Sequence, residues 1–364
     1  MSLILISIIV FCASTAAIIY LRPLAIKANL VDVPDVRKSH NGHIPLVGGL
    51  STFIGIALAI FLSHEGYPRQ YEYILLSSLL VLVGLIDDKL DVSALSRLVV
   101  IATLSVWLVE VEGISLSYLG DIFGFGSVYL SSWSLLFTSF AVIGCITAFN
   151  MVDGIDGLLG VLASVSVGSL GLLFFLSGYK EISQFCLLFI VSMLPYVCFN
   201  LGVKSRSKYK VFMGDSGSFL VGFTIIWLLV FATQHTENLL SASMKPVTAL
   251  WIIAIPLMDM TRVMFRRLFN AESPFKADRT HIHHVLLAYG MSSQAVLFII
   301  GLAAVVIATC GILMELNQVR ESTSFIAFLT LFVSYTVAVS IVSYKKPSKN
   351  IEENMAEPVT QSEF

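Results

Sequence analysis

Long apolar stretches alternate with short polar segments along almost the whole chain. Windows long enough to span a bilayer lie near residues 2–21, 46–63, 72–88, 97–111, 133–150, 158–177, 183–201, 216–234, 246–265, 293–314 and 323–343. A helix of about 20 apolar residues crosses the hydrocarbon core of a membrane. The pattern predicts an all-α, polytopic integral membrane protein with about eleven transmembrane helices, in which residues 1–343 form a single transmembrane domain.

Composition agrees with a membrane protein. Of the 364 residues, 57% are hydrophobic and only 13% are charged, and the mean hydropathy is +0.87. In soluble domains about a quarter of the residues are charged. The composition therefore excludes soluble protein classes, and no nucleic-acid partner is expected. The cysteines lie inside apolar windows without paired spacing and are interpreted as small hydrophobic residues, not as disulfides or metal ligands: Cys12, Cys145, Cys186, Cys198 and Cys310.

Basic residues are distributed unevenly between alternate loops. One set of loops holds seventeen of them and the other holds four: Arg22, Lys27, Arg37, Lys38, Lys89, Arg97, Lys204, Arg206, Lys208, Lys210, Arg266, Arg267, Lys276, Arg279, Lys345, Lys346 and Lys349, against Arg69, Lys180, Lys245 and Arg320. Cytoplasmic loops are the ones enriched in Lys and Arg. This predicts a periplasmic N-terminus, a disordered cytoplasmic tail over 344–364, and a small hairpin on the outer surface within 112–132.

The predicted cytoplasmic side receives the polar clusters, in loops 22–46, 87–97, 150–157, 202–216 and 266–292. Asp87, Asp88 and Asp91 follow a long apolar run, and acids so close repel one another unless they share a proton or a cation. Oxygen-only ligands suit magnesium, although a solvated helix end is the plainer alternative. In the stretch 150–157, Asn150, Asp153 and Asp156 would share one face if the stretch is helical. It could equally be a turn that breaks and caps helices.

Basic and histidine-rich loops accompany these acids. Arg37-Lys38-Ser39-His40 precedes the pair Gly48-Gly49 and could grip phosphate, and the loop Lys204–Lys210 leads to Asp215 between two glycines. Ordinary positive-inside loops, with Asp215 as a helix cap, are the alternative. Histidines His281, His283 and His284 follow Arg279 without a nearby cysteine. We interpret them as hydrogen-bond donors to phosphate or as proton carriers.

Four of these motifs together resemble the polyprenyl-phosphate N-acetylhexosamine-1-phosphate transferase family, of the glycosyltransferase 4 type. They are Asp87-Asp88-x-x-Asp91, Asn150-x-x-Asp153-x-x-Asp156-Gly157, Phe212-Met213-Gly214-Asp215-x-Gly217-Ser218 and His281-x-His283-His284. Within the family the chain is most similar to bacterial enzymes that transfer N-acetylglucosamine 1-phosphate from UDP-N-acetylglucosamine to undecaprenyl phosphate and release UMP. That reaction starts lipid-linked surface glycans such as O antigen. The resemblance implies a bacterial inner-membrane enzyme with a cytoplasmic active site, and it is compatible with a homodimer.

The resemblance also implies roles for individual residues. Asp215 and Asp88 would hold Mg²⁺, with Mn²⁺ as the alternative ion. The catalytic set would be Asp87, Asp88, Asp156, His281, His283 and His284, and the substrate-binding set would be Lys38, His40, Asp91, Asn150, Asp153, Lys210, Phe212 and Arg279. A phosphate monoester is largely dianionic at neutral pH, since its second pKa is about 6. Direct attack by the lipid phosphate is therefore favoured over an aspartyl-phosphate intermediate.

Three alternatives remain at the level of sequence. The same chemistry could act on another UDP-sugar, including UDP-N-acetylmuramoyl-pentapeptide, although Ile282 interrupts the three consecutive histidines usual in that branch. An intramembrane aspartate-rich prenyltransferase would also use acids with magnesium, but it would not need the basic loop or the histidines. A cation-coupled transporter would be expected to carry some of its ionisable residues in mid-span.

Overall fold

The computed structural model describes residues 1–33, 42–63, 66–67, 69–202, 209–234, 242–273 and 280–344. Helices dominate this part of the chain, which confirms the all-α prediction. Their bounds are α1 Leu3–Lys27, α2 Gly48–Leu62, α3 Gln70–Leu90, α4 Ala94–Glu110, α5 Ser134–Met151, α6 Leu158–Leu176, α7 Lys180–Leu201, α8 Gly214–Thr233, α9 Pro246–Ile252, α10 Ala254–Phe269, α11 Ile282–Ala288, α12 Ser293–Leu316 and α13 Glu321–Tyr344.

Each of the eleven predicted windows coincides with a helix or, for 246–265, with the pair α9 and α10. Seven helices of the described residues are individually long and apolar enough to cross a membrane, and an eighth span results if α9 and α10, bent by 82° at their junction, count as one. Helix α2 has only 15 residues, and α3 carries charges at both ends. The chain is therefore a multi-pass membrane protein, while the count of eleven spans stays a prediction.

Helix α8 is the centre of the bundle, and every residue from Ser216 to Thr233 is buried. Glycines allow neighbouring helices to approach it at backbone distance. A Cβ at Gly84 of α3 would lie 2.3 Å from Ser216 Cα, and a Cβ at Gly222 of α8 would lie 2.6 Å from Ile146 Cα of α5. Contacts below 3.0 Å are not tolerated by packed side chains. These positions therefore fix how closely α3, α5 and α8 pack.

Two short antiparallel strand pairs, the second of them a hairpin, complete the fold of the described residues. Strand β1 (Val31–Asp32) pairs with β2 (Ile44–Pro45), and β3 (Tyr118–Gly120) pairs with β4 (Val128–Tyr129). The β3–β4 hairpin confirms the one predicted within 112–132. It is attached to the C-terminal end of α8 by Gln234, whose side chain bonds the backbone of residues 117 and 118.

The remaining predictions concern cysteines and the chain end. All five cysteines are free, as expected from their spacing. Of the predicted tail, only Tyr344 is described, as the last residue of α13. Residues 345–364 lie outside the described part of the chain, so the disordered tail stays a prediction.

Candidate active site

The acidic pair of the third window meets the N-terminus of α8. Asp88 Oδ1 accepts a hydrogen bond from the Asp215 backbone N–H at 2.6 Å, and its Oδ2 accepts one from the Ser216 N–H at 3.2 Å. The first N–H groups of a helix lack partners within the helix, and its N-terminal end attracts negative charge. Gly84 lies one turn before Asp88 and lets α3 come close enough for this contact. Asp88 therefore caps α8 and fixes the position of Asp215.

Asp215 is linked to three further helices. Its Oδ1 accepts a hydrogen bond from Asn150 Nδ2 at 2.6 Å, and its Oδ2 accepts one from Arg97 Nη1 at 3.3 Å. The same Nη1 donates to Asp87 Oδ2 at 3.0 Å, while Asp87 Oδ1 accepts the Val92 N–H at 2.9 Å. One guanidinium thus serves two carboxylates. Residues of α3, α4, α5 and α8 meet at this point.

The stretch 150–157 is not one helix, so the hypothesis of a shared helical face is wrong. Helix α5 ends within it, and Gly157 adopts a left-handed conformation with φ of 78° before α6 begins. Asn200 of α7 holds this turn, because its Oδ1 accepts the Gly157 N–H at 2.6 Å. The turn places Asp153 and Asp156 in a loop beside the N-terminus of α8.

Lys210 connects the basic loop to this turn. Its Nζ lies 2.6 Å from Asp156 Oδ2 and 5.2 Å from the centroid of the Phe212 ring. The backbone of Phe212 is anchored in turn, since its N–H donates to Pro45 O at 3.0 Å and its carbonyl accepts the Gly48 N–H at 3.0 Å. The end of the basic loop, the acidic turn and the segment before α2 therefore form one connected surface.

The histidine segment lies against the same acidic turn. A Cβ at Gly154 would lie 2.1 Å from His283 Nε2. The rings of His281 and His283 stack with centroids 5.8 Å apart, and the His284 ring lies 4.2 Å from that of His283. Neither ring nitrogen of the buried His283 has a hydrogen-bond partner among the residues that the structure describes. Burial, together with His284 and His281, lowers its pKa to about 3, so this ring is neutral at physiological pH.

Among the residues that the structure describes, acidic side chains outnumber basic ones around the acidic turn. The surrounding protein partly desolvates the Asp153 carboxyl group, although the residue remains exposed on one side, and repulsion from Asp215, Asp88 and Asp156 adds to this effect. Both causes raise the pKa of Asp153, to about 7. A bound cation would remove the repulsion and favour the ionised form. The site is thus built to attract positive charge.

Some predicted site residues cannot be placed, and one lies apart. Lys38, His40 and Arg279 lie outside the described residues. Asp91 ends α3 as an exposed residue with φ of 49°. Within the described ranges, no hydrogen bond or ion pair joins its side chain to the other acids. The remaining predicted acids, with Asn150, Lys210, Phe212 and the three histidines, are the ones that the fold brings together.

Sequence reasoning missed three residues that organise this region. Arg97 and Asn200 were not among the candidates, and Asp259 was overlooked although it lies within the ninth apolar window. The signal for Asp259 was available, because an acid inside an apolar span is a functional candidate by default. No comparable signal identified Asn200, whose role depends on the meeting of α7 with a distant turn.

Comparison with known proteins adds a family to this geometry. Residues 71–233 match the family described as "Glycosyl transferase family 4". Three relatives carry the name undecaprenyl-phosphate alpha-N-acetylglucosaminyl 1-phosphate transferase. The one from Yersinia pestis is 43% identical over 90% of this chain and 89% of its own length. Those from Salmonella typhi and Escherichia coli K12 are 45% and 41% identical, each over 90% of this chain and 88% of the relative.

Proposed function

The chain belongs to glycosyl transferase family 4, and from this membership and the geometry of the site we propose that it transfers N-acetylglucosamine 1-phosphate from UDP-N-acetylglucosamine to undecaprenyl phosphate, releasing UMP. One observation carries the proposal beyond the relatives' names. Acidic, basic and histidine residues from separate segments meet at one end of an apolar bundle. A polyprenyl tail can stay in hydrocarbon there while its phosphate reaches a water-soluble donor.

We place the site at the cytoplasmic face of the bacterial inner membrane. Support comes from the charge of the loops, since Arg97 and Lys210 belong to the set enriched in basic residues. On this assignment the hairpin β3–β4 faces the periplasm. The lipid product would start a surface glycan such as O antigen.

The site fits a divalent cation, Mg²⁺ or Mn²⁺. Magnesium usually keeps several waters and takes only one or two carboxylates, so the absence of a cage of three or more acidic, histidine or cysteine ligands in the described ranges does not argue against it. Asp215 is the best candidate ligand, because its side chain is 31% exposed. Asp88 already accepts two backbone hydrogen bonds and would contribute a remaining lone pair. When bound, such an ion neutralises negative charge on the reacting phosphates.

The chain's own residues would hold the two anionic substrates in line. An oxygen of the lipid phosphate attacks the sugar-bearing phosphorus, a new P–O bond forms, and the bridging P–O bond breaks as UMP leaves. Lys210 lies where it can balance charge on the nucleotide, and Phe212 beneath it offers a flat apolar face. Asp87, held by Arg97, orients the lipid phosphate or removes its residual proton. No acyl-phosphate intermediate is needed.

The assay that tests the proposal uses the full-length protein with radiolabelled UDP-N-acetylglucosamine, undecaprenyl phosphate and Mg²⁺. We expect UMP and a butanol-soluble label to appear together, and neither to appear without the acceptor lipid. Competition by unlabelled UDP-sugars then identifies the donor. Pyrophosphate release from a prenyl diphosphate would support a prenyltransferase instead, and uptake without chemical change would support a transporter.

A further inference from the structure

A buried carboxylate outside the acidic turn supports the histidine segment. Asp259 lies in α10 with no exposed surface. Its Oδ2 lies 2.7 Å from His281 Nδ1, and its Oδ1 accepts hydrogen bonds from the Ile282 N–H at 3.0 Å and from Tyr335 Oη at 2.9 Å. Arg262 Nη2 also donates to Oδ1, at 3.1 Å. An ionised carboxylate only accepts hydrogen bonds, so the proton of neutral His281 must sit on Nδ1.

A buried charged network of this kind adds little net stability to the fold, which suggests a role other than stabilisation. An ionised group buried in apolar surroundings is tolerated only when charge and hydrogen bonds compensate it, and apolar residues of similar volume would often stabilise the fold as well. Here Arg262 supplies the charge, and the same guanidinium donates to the carbonyl oxygen of Thr280. Both sides of His281 are therefore tied to α10.

The contacts continue from Asp259 to the acidic turn. His281 stacks on His283 with an angle of 9° between the rings, and His283 lies against Gly154, the residue after Asp153. Rotation of the His281 ring would disturb this stack. The orientation of His281 is thus coupled to the turn that carries Asp153 and Asp156.

We propose that Asp259 is a positioning residue for the transfer reaction. It keeps the proton of neutral His281 on Nδ1 and holds the ring in place, so that Nε2 turns its lone pair to the site. There Nε2 can accept a proton carried by a substrate phosphate and return it to the phosphate oxygen. Tyr335 brings α13 into the same network through its hydrogen bond to Asp259 Oδ1, on the other carboxylate oxygen from His281. The inference rests on the proposed function, because it assigns Asp259 a role in that reaction.

The first test is a double-mutant cycle in the full-length protein. Asp259→Asn keeps the size of the side chain but removes its charge, and its amide can donate to Nδ1 and reverse the tautomer. We expect kcat to fall roughly 10- to 100-fold, the range seen when a carboxylate partner is removed from a functional histidine at metal sites. If Asp259 acts through His281, adding Asp259→Asn to His281→Ala produces no further loss. A full additive loss, or wild-type kcat in Asp259→Asn, would overturn the proposal.

A second variant leaves Asp259 intact and covers the case in which Asp259→Asn does not fold. The amide nitrogen in His281→Asn can take the place of Nδ1, but nothing replaces Nε2. We expect its thermal unfolding temperature to stay above that of His281→Ala, because the bond to Asp259 survives, while kcat remains at least roughly tenfold below wild type. Wild-type kcat in His281→Asn, or an unfolding temperature no higher than that of His281→Ala, would contradict the proposed role of Asp259.

Tyr335→Phe is the matched control, since it removes one hydrogen bond to Asp259 and leaves the bond to His281. Its kcat should stay within about threefold of wild type, as expected for the loss of one bond remote from the substrate. A loss as large as that of Asp259→Asn would reduce Asp259 to a structural role. Wild-type protein that releases no UMP from UDP-N-acetylglucosamine refutes the proposed function, whereas active wild type with unaffected variants refutes only the role of Asp259. The comparison of unfolding temperatures between His281→Asn and His281→Ala does not require an active enzyme, so it tests the contact with Asp259 whatever reaction the protein catalyses.

Discussion

The two ends of α8 use polar residues in opposite ways. At the C-terminal end, Gln234 is 2% exposed, its Oε1 accepts the N–H groups of Ser117 and Tyr118 at 3.0 Å each, and its Nε2 donates to the Tyr118 carbonyl at 3.0 Å. At the N-terminal end, Asp215 is 31% exposed and shares a single arginine with Asp87. The polar groups of Gln234 are buried and hydrogen-bonded, whereas the N-terminal end of α8 is open to solvent and, within the described ranges, holds more acidic than basic side chains.

The difference separates polar residues that hold the fold from those that serve a ligand. Buried polar groups are normally fully hydrogen-bonded, and Gln234 follows that rule. The acids near Asp215 keep free lone pairs, and an additional cation would lower their mutual repulsion. Substitutions at the two ends of α8 should therefore affect different measurements: turnover at the N-terminal end and stability at the C-terminal end.

The largest effect is expected for Asp215→Asn. Removing the charge takes away the best candidate ligand of the proposed metal ion, so kcat should fall roughly 100- to 1,000-fold, as for loss of a group that stabilises developing charge. Thermal unfolding in detergent should change little, because asparagine keeps one of the two acceptor oxygens and the loss of charge removes repulsion with Asp87 and Asp88. The assay is initial UMP release. Near-normal turnover in a folded variant would contradict the assignment.

Asp121→Asn, in the β3–β4 hairpin at the C-terminal end of α8, is the matched control. Asp121 accepts the Gly126 N–H at 2.8 Å within the hairpin loop, and an asparagine oxygen can do the same. Turnover should remain within about twofold of wild type, because distant sites act independently. An equal loss of turnover in Asp215→Asn and Asp121→Asn would show that the two ends of α8 do not differ in function.

An intermediate loss of turnover is expected for Gly84→Ala, because Gly84 packs against the backbone next to Asp215. The new Cβ would lie 2.3 Å from backbone atoms of Ser216, which cannot move without shifting the N-terminus of α8. The free energy of unfolding should drop by about 1–3 kcal/mol, the usual cost of overpacking, and turnover should fall with it. Chemical denaturation and UMP release measure the two effects.

Gly168→Ala provides the control for that substitution. Gly168 also lies within a helix, but the nearest atom to a new Cβ is Ile190 Cδ1 at 3.8 Å. Alanine in a helix interior should raise stability by roughly 0.5–1 kcal/mol. If Gly84→Ala proved as stable as Gly168→Ala, the close approach of α3 and α8 would not be a constraint.

The smallest effect on activity is expected for Gln234→Ala. It leaves the N–H groups of Ser117 and Tyr118 without their acceptor, which costs about 1–3 kcal/mol of stability, while turnover should stay within about twofold. Gln294→Ala, at an exposed position of α12, serves as the control with unchanged stability. A large loss of turnover in Gln234→Ala would show that the hairpin is coupled to the site.

Much of the candidate site could be predicted from the order of residues. Acids at the end of an apolar window and histidines after a basic residue are local patterns, and Asp87, Asp156 and His283 were found in this way. Arg97 could not be assigned from sequence, because an arginine near a helix start looks the same whether it faces solvent or two carboxylates. The turn at Gly157 was only one of two alternatives, since its geometry depends on Asn200 of α7.

By itself, the sequence determined the class of fold, the approximate place of each helix and the segments that carry chemistry, since hydropathy and charge are properties of short stretches. The tertiary structure alone decided which segments meet. Asp88 caps a helix that begins 126 residues later, and His283 lies against Gly154. Such contacts depend on how closely helices pack, and a single Cβ at Gly84 or Gly154 would prevent them. The local pattern of apolar and polar residues does not reveal the distance between packed helices.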